Sequence, residues 1–195
     1  MADPSDPFVL FEEWFAEARA AEPAADAASL ATVDAAGQPS NRVVLVKRVS
    51  AAGFEFHTNY RSRKGRELAA NPRAALAYHW KSLGRSVRVE GVAEPLGGED
   101  SDAYWYTRPR ASRISARISD QSEPVGGRAE LEARAAAEAA RLGEAEVERP
   151  AHWGGYRLVP LRVEFWTHRD DRLHDRLEFT RATSEAAWSA RRLQP

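Results

Sequence analysis

Three groups of basic residues, each near the end of a strand or helix, are the strongest chemical signal in the sequence. The first is the run from Arg42 to Lys47, in which strand alternation puts Lys47 on the same face as Val43 and Leu45, opposite Arg42. One face or the other therefore holds a charge among apolar neighbours. Because an unpaired charge there is costly, the run predicts either a bound anion such as a phosphate or an edge strand whose long side chains reach water.

The other two groups favour the same kind of ligand. One lies at the start of a short helix capped by Ser62, where backbone N–H groups also attract an anion, and consists of Arg61, Arg63, Lys64 and Arg66. The other combines guanidinium groups with a hydroxyl and consists of Arg108, Arg110, Ser112 and Arg113. Each group alone is typical of a solvated surface. Three of them in a chain of net charge -1 favour one or two phosphorylated small ligands.

An aromatic residue marks a further candidate position near the C-terminus. Trp166 closes an alternating strand just before a polar turn that carries Arg172, His174 and Arg176. The indole and these side chains are expected to meet at one strand end, although core packing is the more common role of such a tryptophan. Asp170 and His174 are four residues apart, a spacing that in a polar turn is more typical of a solvated loop, and we predict no metal site.

Composition and missing motifs exclude several classes of protein. The 195 residues contain no cysteine, which excludes disulfides, a Cys-type zinc site and a thiol nucleophile, so redox chemistry would need a bound cofactor. Rossmann, P-loop and nucleophile-elbow motifs are absent. The net charge of -1 argues against binding to nucleic acid or membranes, and we find neither a signal peptide nor a long apolar run. We therefore expect a cytoplasmic protein.

The elements that must position these residues are mostly short strands. An N-cap and a first-turn proline predict an amphipathic helix over 7–21, and from residue 29 onward β-rich runs alternate with glycine-containing turns. Further helices are predicted in SRKGRELAAN, over 99–106 and in GGRAELEARAAAEAARLG, and further strands in AALAYHW, SVRVEGVAEPL, LRVEFWTH, RLEFTRAT and AAWSARRL. Strands and helices do not alternate regularly. The chain therefore predicts a single, mainly β domain over 1–195, an antiparallel barrel of six to eight strands flanked by helices.

Several segments of the chain occur in an order and spacing that one family shares. They are RVVLVK, TNYRSRKGRELAANPRAAL, RVEG, YWYTRPRAS, SDQS, WGGYRLVP, EFW, RLHDR and RRLQP, within about 6–195. In this the chain resembles the pyridoxamine 5'-phosphate oxidase family. The resemblance implies an FMN-binding split β-barrel that forms a homodimer with FMN at the subunit interface. It also implies oxidation of pyridoxamine or pyridoxine 5'-phosphate to pyridoxal 5'-phosphate, with molecular oxygen as acceptor and hydrogen peroxide as product.

The resemblance implies roles for individual residues. Contacts to FMN are implied for Arg42, Val43, Val44, Leu45, Val46, Lys47, His57, Thr58, Arg63, Lys64, Gln121, Ser122, Trp166 and Arg176. Contacts to the substrate phosphate are implied for Lys47, Tyr104, Arg108 and Ser112. Arg172 and His174 are implied to lie over the pyridine ring as the catalytic residues, orienting the carbon that gives up a hydride.

The chain departs from the family pattern at several positions. His57, Ser86 and Arg117 stand where the family usually has tyrosine, glutamine and tryptophan, and the change at Ser86 is expected to remove a flavin contact. The chain begins so close to Asp6 that we also expect no N-terminal arm over the substrate.

Two alternatives stay open. One is a related flavin oxidase acting on another reduced aromatic, as in phenazine pathways, and the other is a non-catalytic barrel that binds flavin or pyridoxal phosphate. Lys47 and the segment from Arg108 to Ser112 favour the vitamin B6 substrate, because the phenazine-pathway relatives generally lack both. Arg172 and His174 argue against the non-catalytic barrel, because a protein that only binds its ligand has little need of these two residues.

Overall fold

The fold is an antiparallel β-barrel with five flanking helices among the residues that the structure describes. The structure is a computed structural model that describes residues 5–195. The strands are β1 (Ala27–Val33), β2 (Pro39–Ser50), β3 (Gly53–Asn59), β4 (Arg73–Trp80), β5 (Arg85–Pro95), β6 (Trp153–Thr167), β7 (Asp175–Thr180) and β8 (Ser189–Arg192). The helices are α1 (Pro7–Ala21), α2 (Arg63–Ala70), α3 (Gly98–Thr107), α4 (Arg110–Ile118) and α5 (Arg128–Leu142). Within residues 5–195, none of the helices has the length and apolar character needed to cross a membrane.

Strand β6 closes the barrel because it pairs along both of its edges. The hydrogen-bonded order is β3-β2-β1-β4-β5-β6-β7-β8, with an additional pairing between β3 and β6. The strands β1 to β6 therefore form a closed six-stranded ring, and β7 and β8 extend the sheet from the second half of β6. The predicted antiparallel barrel with flanking helices is confirmed.

Apolar side chains fill the barrel, and they alternate with exposed ones along the strands. In β2, Val44 and Val46 are buried, whereas Val43 and Leu45 are 65% and 46% exposed. This agrees with the face assignment that strand alternation predicts. Phe11 of α1 packs against the same core.

A second, smaller core holds α3 and α4 against the start of β6. Its buried members are Trp105, Ile114, Val147 and Trp153. The indole Nε1 of Trp105 donates to the backbone oxygen of Val147 at 2.7 Å, which anchors the segment that follows α5. The sequence analysis does not predict α4, because its basic residues dominate the segment and Ile114 is its one buried residue in the structure.

Candidate functional site

A cleft of about 600 Å³ opens between the outer face of the barrel and the helices α3 and α4. Residues of β2 and β3 form one wall, and residues of α3, α4 and the start of β6 form the other. The residues with implied roles that line it are Val43, Val44, Leu45, Lys47, His57, Thr58, Lys64, Tyr104, Arg108, Ser112 and Gln121. We call this region the cationic cleft. Its volume is in the range typical of small-molecule sites.

The lining of the cationic cleft carries charge of one sign. Lys47, Lys64 and Arg108 line it, and no aspartate or glutamate does so among residues 5–195. The Nζ of Lys47 contacts Oδ2 of Asp26 at 2.6 Å, so part of that charge is offset from outside the lining. The same described part of the chain contains no cluster of three or more side chains that could hold a metal ion. The cleft is therefore suited to an anionic ligand.

Arg108 is the residue of the cleft most in need of such a ligand. Its guanidinium lies over the rings of Trp105 and Trp153, 5.1 and 4.6 Å from their centroids. Its buried Nη1 has no hydrogen-bond partner within residues 5–195. Because a buried donor without an acceptor is unfavourable, a phosphate oxygen is the natural partner for this group.

Lys64 is a second buried cation at the cleft. Its Nζ donates to Oε1 of Gln121 at 2.7 Å and to the hydroxyl of Thr58 at 3.1 Å. Burial and, to a smaller extent, the charge of Arg42 lower its pKa, Glu67 acts to raise it, and the net pKa is about 8. A nearby anion would raise this pKa again and so stabilise the charged form of the lysine.

The ring of His57 borders the cleft and is neutral at pH 7. It stacks on Tyr104 with ring centroids 4.1 Å apart. Gly155, its neighbour across the β3–β6 pairing, makes room for it, because a Cβ there would lie 3.0 Å from the imidazole Nε2. Burial lowers the pKa of His57 to about 4, with the charges of Arg108 and Lys47 adding to the effect.

Glu67 corrects the expectation that Arg42 and Arg63 need a phosphate as their partner. This buried carboxylate of α2 accepts a hydrogen bond from Arg42 Nη2 at 3.1 Å and from Arg63 Nε at 2.8 Å, and it also accepts from the hydroxyls of Thr32 and Ser40. Burial acts to raise the pKa of Glu67, but the four hydrogen-bonding partners outweigh it and lower the pKa to about 2. The sequence analysis does not identify Glu67, because nothing local links it to a strand 25 residues away.

The structure divides the third basic group in two. Arg108 and Ser112 line the cationic cleft, whereas Arg110 and Arg113 do not. Arg110 donates to two backbone oxygens just after α5, at 2.7 and 2.6 Å, and Arg113 pairs with Glu146. Arg110 and Arg113 therefore fasten α4 to the segment that follows α5.

Four other implied residues lie at the opposite end of β6, around residues 168–174, which we call the C-terminal turn. Arg172 and His174 belong to this turn, and Trp166 and Arg176 lie in the strands on either side of it. The ring centroid of His174 is 4.7 Å from that of Trp166, so the predicted meeting of indole and turn is confirmed. The backbone N–H of Arg169 donates to Nδ1 of His174 at 3.1 Å, which leaves Nε2 to carry the proton of the neutral ring. Arg172 is exposed and has a φ of 67°, in the left-handed region that non-glycine residues seldom adopt.

The cationic cleft and the C-terminal turn do not meet within one chain. Trp153 at the start of β6 lines the cleft, whereas Trp166 near its end contacts the turn. At about 3.3 Å per residue, the path between them along β6 is roughly 40 Å. Neither Arg172 nor His174 lines the cleft, and Arg176 pairs with Glu164 at 2.8 Å.

The remaining implied residues, Arg42, Val46, Arg63 and Ser122, do not line the cleft. The backbone N–H of Arg63 donates to the hydroxyl of Ser122 at 3.1 Å, which joins the start of α2 to the loop after α4. Val46 points into the barrel core.

The departures from the family pattern at Ser86 and Arg117 have partners within the chain. The hydroxyl of Ser86 donates to the backbone oxygen of Tyr78 at 2.7 Å, and Arg117 pairs with Glu138 at 2.7 Å.

Two family models match the sequence. One, described as pyridoxamine 5'-phosphate oxidase, matches residues 15–141. The other, described as the pyridoxine 5'-phosphate oxidase C-terminal dimerisation region, matches residues 153–195 and so includes the C-terminal turn.

Individual proteins match over nearly the whole chain. A pyridoxine/pyridoxamine 5'-phosphate oxidase of Maricaulis maris is 51% identical, covering 99% of this chain and 87% of the relative. One of Burkholderia thailandensis is 54% identical, covering 97% and 89%. A crystal structure of PhzG from Burkholderia lata, in complex with tetrahydrophenazine-1-carboxylic acid, has a TM-score of 0.92 at 34% identity, covering 99% of this chain and 94% of that one. A pyridoxamine 5'-phosphate oxidase-related, FMN-binding protein of Nostoc punctiforme shares the fold, with a TM-score of 0.78 at 18% identity over 97% and 98% of the two chains.

Proposed function

The chain belongs to the pyridoxamine 5'-phosphate oxidase family, and we propose that it is an FMN-dependent oxidase that converts pyridoxine or pyridoxamine 5'-phosphate to pyridoxal 5'-phosphate. Molecular oxygen as the electron acceptor and hydrogen peroxide as the product are part of the proposal. So are a single domain over residues 1–195 and a cytoplasmic location. Relatives named for this substrate at 51% and 54% identity support the proposal.

The observation that carries the substrate assignment is the buried Nη1 of Arg108, which has no hydrogen-bond partner within residues 5–195. Tyr104 and Ser112 line the cleft on the same side, and Lys47 lines the opposite wall. A phosphate in the cleft would therefore receive charge-assisted hydrogen bonds from two cations and hydrogen bonds from two hydroxyls. The substrate would be anchored by its phosphate, which leaves its ring free to be oriented by other residues.

The cleft also fits the phosphorylated flavin that the family implies. Its lining offers hydrogen-bond donors and, among residues 5–195, no carboxylate, which suits a phosphate. Thr58, Lys64 and Gln121 are already joined in one hydrogen-bonded network. These residues, with the exposed face of β2, would hold FMN, while Arg42 of β2 and Arg63 of α2 are both paired with Glu67. Bound FMN would supply the acceptor for the hydride that the substrate loses and the route by which its electrons reach oxygen.

Arg172 and His174 would orient the substrate ring. The backbone N–H of residue 169 fixes the tautomer of His174, so its Nε2–H is the atom presented to a ligand. The exposed guanidinium of Arg172 is held by a left-handed backbone, the kind of local strain that is retained where a side chain must be aimed. Holding the reacting carbon in place is the main contribution we assign to this pair.

We propose that each active site takes its cleft from one subunit and its C-terminal turn from the other. The separation of the two regions along β6 supports this arrangement. So does the match of residues 153–195 to a dimerisation region. Val43 and Leu45, two exposed apolar side chains at the edge of the cleft, provide surface that a second copy would cover.

The test is to purify the protein, record its visible spectrum and add pyridoxamine 5'-phosphate under air. We expect flavin absorbance, release of pyridoxal 5'-phosphate and an equal amount of hydrogen peroxide. Pyridoxamine without its phosphate is the matched control and should react far more slowly at equal concentration, because Arg108 then has no anion to bind. A protein that stays colourless after incubation with FMN, or one that forms no peroxide, would contradict the proposal.

One observation favours a second candidate, an oxidase of a reduced phenazine. The PhzG structure has a TM-score of 0.92 to this chain. The same assay with tetrahydrophenazine-1-carboxylic acid distinguishes the two candidates by kcat/KM. A higher value for the phenazine than for pyridoxamine 5'-phosphate would replace the first proposal by the second.

A further inference from the structure

His57 has a chemical environment that packing alone does not explain. Its ring contacts two aromatic neighbours, with its centroid 4.1 Å from that of Tyr104 and 5.4 Å from that of Trp153. Neither ring nitrogen has a hydrogen-bond partner within residues 5–195. A neutral imidazole carries one donor and one acceptor, so both of its polar atoms are unsatisfied. Buried polar groups are rarely left in this state unless a bound group or a change of charge uses them.

The groups that face His57 are cationic or neutral. Lys47 comes from β2 and Arg108 from the end of α3, Lys64 of α2 lines the same cleft, and Tyr104 and Trp153 are uncharged aromatic neighbours from α3 and β6. No carboxylate among the described residues lines the cleft. Burial and this positive field together hold the pKa of His57 at about 4.

A bound phosphate would reverse the electrostatic field at His57. It brings up to two negative charges beside Lys47 and Arg108, and those charges favour the imidazolium. It also brings oxygen atoms into the cleft that can accept hydrogen bonds. Both features that keep His57 neutral without a ligand are thereby weakened.

We propose that His57 takes up a proton from solvent when a phosphate group binds in the cationic cleft, and that the imidazolium contributes to selectivity for dianionic ligands. The inference rests on the proposed function, because it takes the ligand to be the substrate or product phosphate. The step is an acid–base equilibrium in which the imidazole gains one proton and no covalent bond within the ligand changes. The departure from the family's usual tyrosine at this position would then have a function, since a tyrosine has no protonated, cationic form.

The test is a count of the protons taken up when pyridoxal 5'-phosphate, which is not oxidised further, binds to the FMN-loaded protein. Calorimetry at pH 6 in two buffers of different ionisation enthalpy gives this count for the wild type, His57→Phe and His79→Phe. Titration of the ligand itself is common to all three proteins and cancels in the comparison. His79→Phe is the matched control, because His79 is exposed and does not line the cleft. We expect the wild type and His79→Phe to take up about half a proton or more in excess of His57→Phe.

Histidine NMR on the wild type gives a second readout that does not depend on a well-folded variant. The chain has five histidines, so the signals are few. We expect one histidine of the FMN-loaded protein to have its pKa raised to above about 6 when pyridoxal 5'-phosphate binds, and to titrate at lower pH without it.

The outcomes separate this inference from the proposed function. If pyridoxal 5'-phosphate binds but the proton count is the same in His57→Phe, or no histidine pKa rises on binding, the inference is wrong and the proposed function is unaffected. If pyridoxal 5'-phosphate binds none of the three proteins, the proposed function is wrong, and the inference is wrong with it.

Discussion

Arg108, at the end of α3, and Arg176, in β7, are both partly shielded from solvent, but their partners differ. The guanidinium of Arg108 lies over two tryptophan rings that pack against each other, and its Nη1 has no acceptor within residues 5–195. Arg176 contacts the carboxylate of Glu164 at 2.8 Å. Their surroundings differ in the same way. No carboxylate among the described residues lines the cationic cleft, whereas the exposed Asp170 and Asp171 are adjacent in the C-terminal turn.

This contrast indicates two different tasks. A cleft that holds a half-buried arginine whose Nη1 has no acceptor within residues 5–195 is prepared to bind an anion, because the ligand removes an existing penalty. The basic residues of the C-terminal turn are exposed or already paired, so an anion would stabilise them less. The fixed tautomer of His174 and the left-handed backbone of Arg172 are better suited to orienting these two side chains toward a ligand. We therefore expect changes in the cleft to affect binding and changes in the turn to affect rate.

The largest effect is expected from the C-terminal turn. His174→Ala should lower the limiting rate of flavin reduction by roughly 10²- to 10⁴-fold, because the reacting carbon is no longer held in place. The concentration dependence should change little. Rapid mixing with pyridoxamine 5'-phosphate under nitrogen separates the two quantities. The control is His168→Ala in the same turn, and a comparable loss of rate there would remove the special role of His174.

The next largest effect is expected in the cleft. Arg108→Ala should weaken binding of pyridoxamine 5'-phosphate by about 1.5–3 kcal/mol, because a charge-assisted contact is lost, while the FMN content is retained. Arg110→Ala is the matched control, since Arg110 donates to backbone oxygens outside the cleft. Substrate titration of the same rapid-mixing reaction measures the effect. If Arg108→Ala binds the substrate as tightly as the wild type, the vitamin B6 assignment is wrong.

A smaller effect is expected on stability beside the cleft. Glu67→Gln should lower the free energy of unfolding at pH 7 by about 1–2 kcal/mol, because Arg42 and Arg63 lose their charged acceptor. Since the pKa of Glu67 is lowered from 4.5 to about 2 in the folded chain, its contribution is complete above about pH 5 and is lost as the pH falls toward 2.

Urea unfolding of the wild type and Glu67→Gln from pH 7 to pH 3 therefore should show a difference that shrinks in acid. The control is Glu123→Gln, whose exposed carboxylate pairs with Arg66. A difference that grows on acidification would show that the sign of this linkage is wrong.

The smallest effect is expected for Arg169→Ala in the C-terminal turn. Its ion pairs with Asp171 and Asp175, at 3.8 and 3.5 Å, are solvent-exposed, and such pairs contribute under about 0.5 kcal/mol. The backbone N–H that orients His174 is kept in the variant. Thermal unfolding and the rate of flavin reduction should both stay close to the wild type, and a large drop in rate would assign the Arg169 side chain a role that we do not propose.

Local signals predict the elements of the fold well. The Asp6 side chain accepts from the N–H of Phe8 at 2.8 Å, and the Ser62 side chain caps α2, as their positions in the sequence indicate. The first half of β6 is not predicted from the residues themselves, because Gly154, Gly155 and Pro160 lower its strand propensity. Long-range pairing with β3 and β5 fixes it as a strand nonetheless.

The candidate site is less predictable than the fold. The sequence identifies basic groups, but the carboxylates that pair with them come from distant segments, as Glu67 does for Arg42 and Asp26 for Lys47. Local patterns contain no information about such partners. The division of the implied site residues between two ends of β6 also follows from the register of the barrel, which no single segment determines.

The measurement that tests the two-chain site most directly is complementation between Arg108→Ala and Arg172→Ala. Mixed dimers, isolated through two different affinity tags, carry one altered cleft and one altered turn. If each site combines the cleft of one subunit with the turn of the other, one site in the mixed dimer is unaltered and the other carries both changes. The account predicts about half of the wild-type kcat/KM for the mixed dimer, far above either parent variant. A mixed dimer no more active than the mean of its parents would contradict it, because each site would then be built from a single chain.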